Sequence, residues 1–200
     1  STTKILPIND DHLLFNDIKL PLKPMIGDIG TAPAEGEIPN GTPDSHGGNM
    51  DCKRITAGTT LYLPVYVEGG LLSMGDLHAV MGDGEIVVCG AEVKGKVNLK
   101  VELLKGVELP LPMLEDEKRV ISIASAETID QAAEDATNNM VDYLMDYHQY
   151  SLEEAGMLLS LIGDLRICQV VDPLKTARFE FEKKYINCKD IMEGLKDENK

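Results

Sequence analysis

The chain has 200 residues, 43% of them apolar and 26% charged, the balance of a soluble globular protein with room for one large domain or two small ones. Its formal net charge of −15 repels nucleic acid phosphates and anionic lipid, which argues against both as partners. No run of about eighteen apolar residues marks a membrane span, and Ser1 to Pro7 carry no basic region followed by an apolar stretch, so a signal peptide is expected to be absent or already removed.

Along the chain, Leu20-Pro21-Leu22-Lys23-Pro24 is extended, because two prolines forbid a helix. Met25 to Gly30 reads as a short strand with polar breaks, and residues 31–50, rich in Gly, Pro, Asn, Asp and Ser, as a long irregular loop. Thr59 to Val67 reads as a strand that Pro64 places at a sheet edge or at a bulge, with Leu61, Leu63 and Val65 expected on the buried face and Tyr62 on the other. Glu68-Gly69-Gly70 is a turn, Leu71 to Asp76 a short strand running into a turn, and Ile86 to Cys89 an apolar strand. From Val93 to Leu104 apolar residues alternate with Lys94, Lys96, Asn98, Lys100 and Glu102, the period of a half-buried strand.

Val120 to Ser125 is a further strand. Between Thr128 and Tyr147, Ile129, Ala132, Ala133, Ala136, Met140, Tyr143, Leu144 and Tyr147 recur at three-and-four spacing and predict an amphipathic helix. Ser151-Leu152-Glu153-Glu154 is a capping box that opens a second helix through Leu161. Leu165 to Val171 and Ala177 to Phe181 read as strands about the turn at Asp172-Pro173. The order predicts an α+β fold: a β-rich part over residues 1–112, then an α+β part over 113–200 in which two helices cover one side of a sheet.

Of the four cysteines, Cys52, Cys89, Cys168 and Cys188, no two have C-x-x-C spacing, which argues against a finger-type zinc site. Cys89 and Cys168 lie in apolar runs and read as small buried hydrophobes, and nothing demands an oxidising compartment, so a cytoplasmic location is the default. Neither His12 nor His148 sits in a glycine-bounded polar cluster, and His148 closes the long helix, where a cation suits the helix dipole.

Chemistry concentrates in two glycine-bounded clusters. In Pro43 to Asp51, the groups Asp44, His46, Asn49 and Asp51 surround Gly47-Gly48, which suits a divalent cation, a polar catalytic pocket, or an Asx-rich turn that satisfies its own backbone. In Met74 to Glu85, Asp76 and His78 are two apart and point the same way on an extended segment, and Asp83-Gly84-Glu85 follows on a tight turn; a hydrated turn with an incidental histidine is the alternative. A hairpin-like return of the strand between the clusters is expected to bring both to one end of a sheet. No G-x-S-x-G elbow or phosphate loop is present.

The strings Pro24-Met25-Ile26-Gly27-Asp28-Ile29-Gly30-Thr31-Ala32-Pro33, His46-Gly47-Gly48-Asn49-Met50-Asp51, Gly58 to Val65 and Gly75 to Glu85, with Gly163 to Ile167 and Val170 to Pro173, resemble the acetamidase/formamidase family. The resemblance implies hydrolysis of short linear amides such as formamide and acetamide, a sandwich-like or barrel-like β region joined to an α+β region, and a homo-oligomer. It also implies a β-rich region ahead of the Pro-Met-Ile-Gly string, which 23 residues precede here, so the alternative reading is a non-catalytic binding member or a subunit that works with a separate N-terminal chain. For such chemistry His46, Asp51 and His78 are the candidate ligands of a divalent metal, zinc before calcium. Glu85 is the candidate general base with His78 beside it, and Asn49 with the Gly47 and Gly48 amides would hold the oxyanion.

Overall fold

The structure, a computed structural model, describes residues 2–107, 109–186 and 191; Cys188 lies outside the described residues. The chain opens with a hairpin of β1 (His12–Phe15) and β2 (Ile18–Pro21), turned at Asn16, whose φ of 53° suits asparagine better than most residues. β3 (Met25–Gly30) then forms the centre of a three-stranded antiparallel sheet, with β4 (Gly47–Asn49) on one side and β6 (Ser73–His78) on the other. The expected long loop of residues 31–50 therefore ends in a strand.

A five-stranded antiparallel sheet has the order β5 (Thr60–Tyr62), β7 (Met113–Glu115), β8 (Arg119–Ala126), β10 (Lys175–Glu182), β9 (Asp164–Gln169). Because β5 pairs with β7, this sheet crosses the boundary expected at residue 112. Between β8 and β9 run α1 (Ile129–His148) and α2 (Leu152–Ile162). Thr128 caps α1 by accepting from the Gln131 amide, and Ser151 and Glu154 form the expected capping box of α2. Gly163 ends α2 where a Cβ would stand 2.3 Å from the Phe179 ring, so only glycine lets the chain turn onto the sheet there.

The molecule is thus α+β in three layers, helices over the larger sheet and the smaller sheet beneath it. The two-residue period of β8 divides the core. Val120 and Ala124 pack with Met140, Leu144 and Phe181 under the helices, while Ile121 and Ile123 pack with Ile29, Met50, Cys52 and Cys168 between the sheets. Among the described residues no helix is long and apolar enough to cross a membrane.

Four expectations are corrected. The strand of 59–67 is cut to Thr60–Tyr62, since Pro64 has no N–H to continue a ladder. Both of its faces pack: Leu61 and Leu63 lie half-buried against the core between the sheets, Tyr62 on the other face is buried and donates its hydroxyl to Glu115 at 2.6 Å, and Val65, expected to be buried, is 50% exposed. Ile86 to Cys89 form no strand. Positive φ at Glu85 (44°) and Val88 (69°) turns the chain, and Ile86, Val87, Val88 and Cys89 are exposed. The alternating stretch from Val93 joins a sheet only at its start, and residues 94–104 form no regular strand. Finally, burial lowers the pKa of His148, whose Nε2 lies 3.2 Å from the Tyr143 hydroxyl, so the ring belongs to the helix packing as a neutral group rather than as a cation on the dipole.

Ile121, fully buried, and Leu103, 63% exposed, should separate sharply on truncation. We expect Ile121→Ala to lower the unfolding free energy by about 2–5 kcal/mol and Leu103→Ala to change it by no more than about 0.5 kcal/mol, read from urea denaturation of the isolated chain.

Candidate active site

The site is built around Gly27 in the middle of β3. Asp51 follows β4 and donates its amide to the Gly27 carbonyl at 3.1 Å. Asp76 lies between Gly75 and Leu77, the partners of Asp28 and Ile26, and so sits opposite Gly27 on the other flank. Carboxylates from both sides close over the glycine: a Cβ at residue 27 would stand 2.5 Å from Asp51 Oδ1 and 2.6 Å from Asp76 Oδ2. His78, at the end of β6, completes this group, and Gly90 lies so close that its Cβ would meet the imidazole at 2.7 Å.

The ring of His78 is 1% exposed and faces three carboxylates: Nδ1 is 3.7 Å from Asp51 Oδ1, and Nε2 is 3.2 Å from Asp76 Oδ1 and 2.9 Å from Glu92 Oε1. None of these approaches has hydrogen-bond geometry, and both ring nitrogens and both Asp51 oxygens are buried without a hydrogen-bond partner. These groups converge on shared points rather than on one another. Among the described residues three sets of ligand atoms each lie within 4.8 Å of one another: Asp51, Asp76 and His78; His78, Glu85 and Glu92; and Asp51, Glu85 and Asp172. Asp51, His78 and Glu85 each belong to two of them.

Backbone strain accompanies the convergence. Of the seven non-glycine residues with positive φ among the described residues, Asp51 (44°), Asp76 (51°) and Glu85 (44°) are three. Left-handed backbone is unfavourable for such side chains and persists where the surroundings impose it, often at functional sites. The restraint on Glu85 is visible. Gly84 donates to Cys168 O at 2.8 Å and accepts from Val170 N at 3.2 Å, which fixes the 82–85 turn to the end of β9. The Asp83 carboxylate is held by Arg178 through two bonds of 2.8 and 3.0 Å and by Lys53 at 2.9 Å. Arg178 also donates to Glu180, which takes a second, forked contact from Arg54. Burial pushes the Asp83 and Glu180 carboxyls up, but these cations hold both below the ordinary range. The adjoining cleft of about 290 Å³ is lined by these same charges, Arg166 being paired with Asp164, so its cations are already engaged.

The residues singled out in the sequence divide into two sets. Asp51, His78 and Glu85 come together. Asn49 joins them from the side, donating Nδ2 to Asp172 at 3.0 Å and leaving Oδ1 buried without a partner. His46 is buried but belongs to none of the three sets; it packs against Gly30 and Gly48, and burial lowers its pKa against the pull of Asp44. Gly47 donates its amide to the Asp44 carbonyl at 3.0 Å, so that N–H is engaged in the turn. Gly48 pairs with Ile29, with a φ of 82° and the carbonyls of Thr42 and Asn40 where a Cβ would be.

Asp76 stands beside His78 as the sequence spacing implies, whereas Asp28, Glu92 and Asp172 were missed as site residues. Asp28 and Asp172 lie within family-like strings, but nothing local ties Glu92 to the site. Asp172 is delivered by the β9–β10 turn, which Gln169 staples by accepting from the Val171 and Asp172 amides and donating to Leu174 O and Thr176 Oγ1.

A profile described as the acetamidase/formamidase family matches residues 38–177. The chain belongs to that family. It is 56% identical over 64 residues to a formamidase of Methylophilus methylotrophus, a stretch that makes up 32% of this chain and 16% of the relative. It is 46% identical over 81 residues to an acetamidase of Mycolicibacterium smegmatis, covering 40% and 20%. The solved acetamidase of Bacillus halodurans superposes with a TM-score of 0.89 at 52% identity, over 96% of this chain and 64% of that one. A predicted acetamidase/formamidase of Thermoanaerobacter tengcongensis gives 0.90 at 48%, over 94% and 63%. The chain therefore spans less than two thirds of either solved relative.

Two outcomes follow from this electrostatics. Burial first, and then Glu85, Asp76 and Asp172, push the Asp51 carboxyl from 3.8 up to about 9 when no cation is present. Its folded pKa lies above the unfolded one, so its stabilising contribution is complete below the unfolded value and is lost as pH rises through the folded one. In chelator, the thermal midpoint should fall as pH rises from about 5 to 9, and Asp51→Asn should flatten the fall; a midpoint that climbs over that range contradicts the assignment. Arg178→Met, which removes the buried cation from Glu180 and Asp83 and leaves them to Arg54 and Lys53, should lower the unfolding free energy by about 1–3 kcal/mol in urea titration.

Proposed function

We propose that this chain carries the hydrolytic centre of an amidase that splits the C–N bond of short linear amides, formamide and acetamide first among them, into carboxylate and ammonia. The observation that carries the reading is the convergence of buried His78, Asp51 and Glu85 with the more exposed Asp76, Glu92 and Asp172, the His78 ring nitrogens and the Asp51 oxygens left without hydrogen bonds, in a member of this family.

The donor set fits a divalent cation. So many carboxylates around one imidazole repel one another, and Gly27 leaves open the space into which two of them point. His78 with Asp51 and Asp76 would hold it, and mixed nitrogen and oxygen donors suit zinc, with calcium the alternative. When bound, the cation supplies positive charge that polarises a carbonyl and makes a nearby water more acidic.

The chain's own groups do the rest. Burial raises the Glu85 pKa against the lowering pull of Asp51 and His78, so its carboxylate keeps affinity for a proton. It takes a proton from the attacking water and returns it to the departing nitrogen, so that amide and water become acid and ammonia. Asn49, anchored to Asp172, offers its free Oδ1 to an amide N–H of the substrate. That role replaces the oxyanion contact expected of it.

Elemental analysis after exhaustive dialysis should find close to one divalent cation per chain, and His78→Ala and Asp51→Asn should each abolish it. Ammonia release from formamide, acetamide and longer amides should fall at least ~100-fold in folded His78→Ala. Full turnover in chelator with no bound metal would remove the cation and leave Glu85 and His78 as a metal-free acid/base pair.

A further inference from the structure

Two acceptors beside the site have nothing to accept. Asp28 and Asn49 face each other across the β3–β4 pair, so their side chains leave the same face of the sheet. Oδ1 of each is buried and has no hydrogen-bond partner. Asn49 is fixed in that pose, because its Nδ2 donates to Asp172 Oδ2 at 3.0 Å and turns Oδ1 the other way. Asp172 in turn converges with Asp51 and Glu85, so the pair adjoins the groups gathered about His78. The charges of Asp76 and Asp172 both act on Asp28. A buried acceptor without a donor is unfavourable and uncommon in native structures. Two such acceptors facing each other call for a ligand that brings two donors.

We propose that Asp28 Oδ1 and Asn49 Oδ1 together receive the two N–H groups of the scissile amide's NH2, and that Asp28 thereby restricts the site to amides with an unsubstituted nitrogen. The inference rests on the amidase reading above and gives it a specificity-determining residue. Two hydrogen bonds of about 2.9 Å, set about 120° apart at one nitrogen, spread their acceptors by about 5 Å. Residues facing each other across an antiparallel pair carry their Cβ atoms about 4.5–5.5 Å apart, which matches that spread. Asp28 belongs to none of the three convergent sets, so its oxygens stand apart from the candidate cation. Holding both hydrogens also fixes the remaining direction at nitrogen. As the carbonyl carbon becomes tetrahedral, the nitrogen lone pair is turned away from Asp28 and Asn49 and is free for the proton that Glu85 returns. The C–N bond then breaks with its electron pair on nitrogen, which leaves as ammonia. An N-methyl group puts carbon where one acceptor needs a hydrogen. A site built to hydrogen-bond a donor rejects the analogue lacking it far more strongly than an apolar pocket rejects a change of size.

The test compares acetamide with N-methylacetamide in the chain as purified, by kcat/KM for release of ammonia and of methylamine. Where turnover of N-methylacetamide is below detection, its inhibition constant against acetamide takes the place of kcat/KM. We expect wild type to favour acetamide at least ~100-fold. Asp28→Ala should lower kcat/KM for acetamide at least ~10-fold and leave the value for N-methylacetamide within about threefold of wild type, so that the preference narrows. Its cation content by elemental analysis should be unchanged. Asp28→Val, a good strand former, gives the same readout where Asp28→Ala does not fold. An equal loss for both amides makes Asp28 a structural residue and overturns the proposal, as does loss of the cation in the folded variant. Wild-type use of N-methylacetamide as readily as acetamide overturns it and leaves the amidase reading standing. No turnover of any amide by wild type overturns both.

Discussion

Two loops of the candidate site are tied together through Arg178, a guanidinium 1% exposed on the interior strand β10. Through Asp83 it holds the turn that presents Glu85, and through Glu180 and Arg54 it holds the segment that begins at Asp51. A buried charge is unfavourable unless its partners are hydrogen-bonded to it, and Arg178 has such partners on three sides: Asp83, Glu180 and the Ile167 carbonyl. One rigid cation thus sets two distant loops in a common frame. A lysine, with a single point of charge, could not reproduce the two-pronged grip on Asp83 together with the contact to Glu180.

That frame is what permits the crowding of acids above Gly27. Left free, Asp51, Asp76 and Glu85 would separate and relax from their left-handed backbone. The surrounding bonds deny them both escapes, so repulsion and strain remain available to be relieved by a bound cation. Burial likewise lifts the Asp172 and Glu92 carboxyls, and lifts Asp28 to about 6. Asp28, Asp51, Glu85, Glu92 and Asp172 therefore share one electrostatic condition, although they come from four separate stretches of chain.

What could be read in the sequence was what is local. The periodicity of α1, the capping box of α2 and the apolar run of β8 all specify their elements within a few residues, because hydrogen bonds and faces there are set by near neighbours. The Gly-flanked strings marked the loops that hold Asp51, His78 and Glu85. Asp172 escaped because its place is fixed by Gln169 and by strand pairing more than a hundred residues from Asn49. The reading of 93–104 recognised the strand pattern, but only its start is paired, and Val97, Leu99, Val101 and Leu103 are exposed. At Tyr62, alternation gave the face but not its burial, which comes from the helix-side core that the ring joins and from Glu115 of the partner strand β7, which accepts from its hydroxyl.

The two central histidines show why spacing alone could not choose the ligands. Both are buried, both flank β3, and both follow a glycine-rich or acidic stretch. Strand register separates them. The His46 carbonyl accepts from Thr31, just past the end of β3, whereas His78 pairs with Met25 at its start. Six residues of strand span about 20 Å, farther than two imidazoles can bridge to a common ion. Asp51 and Asp76 escape this division because antiparallel pairing folds both neighbours of β3 back onto Gly27. His46 is left between Gly30 and Gly48, where a neutral ring fills space that glycine opens. The histidine that can serve as a ligand is thus selected by the register of the central strand and not by the motif around it.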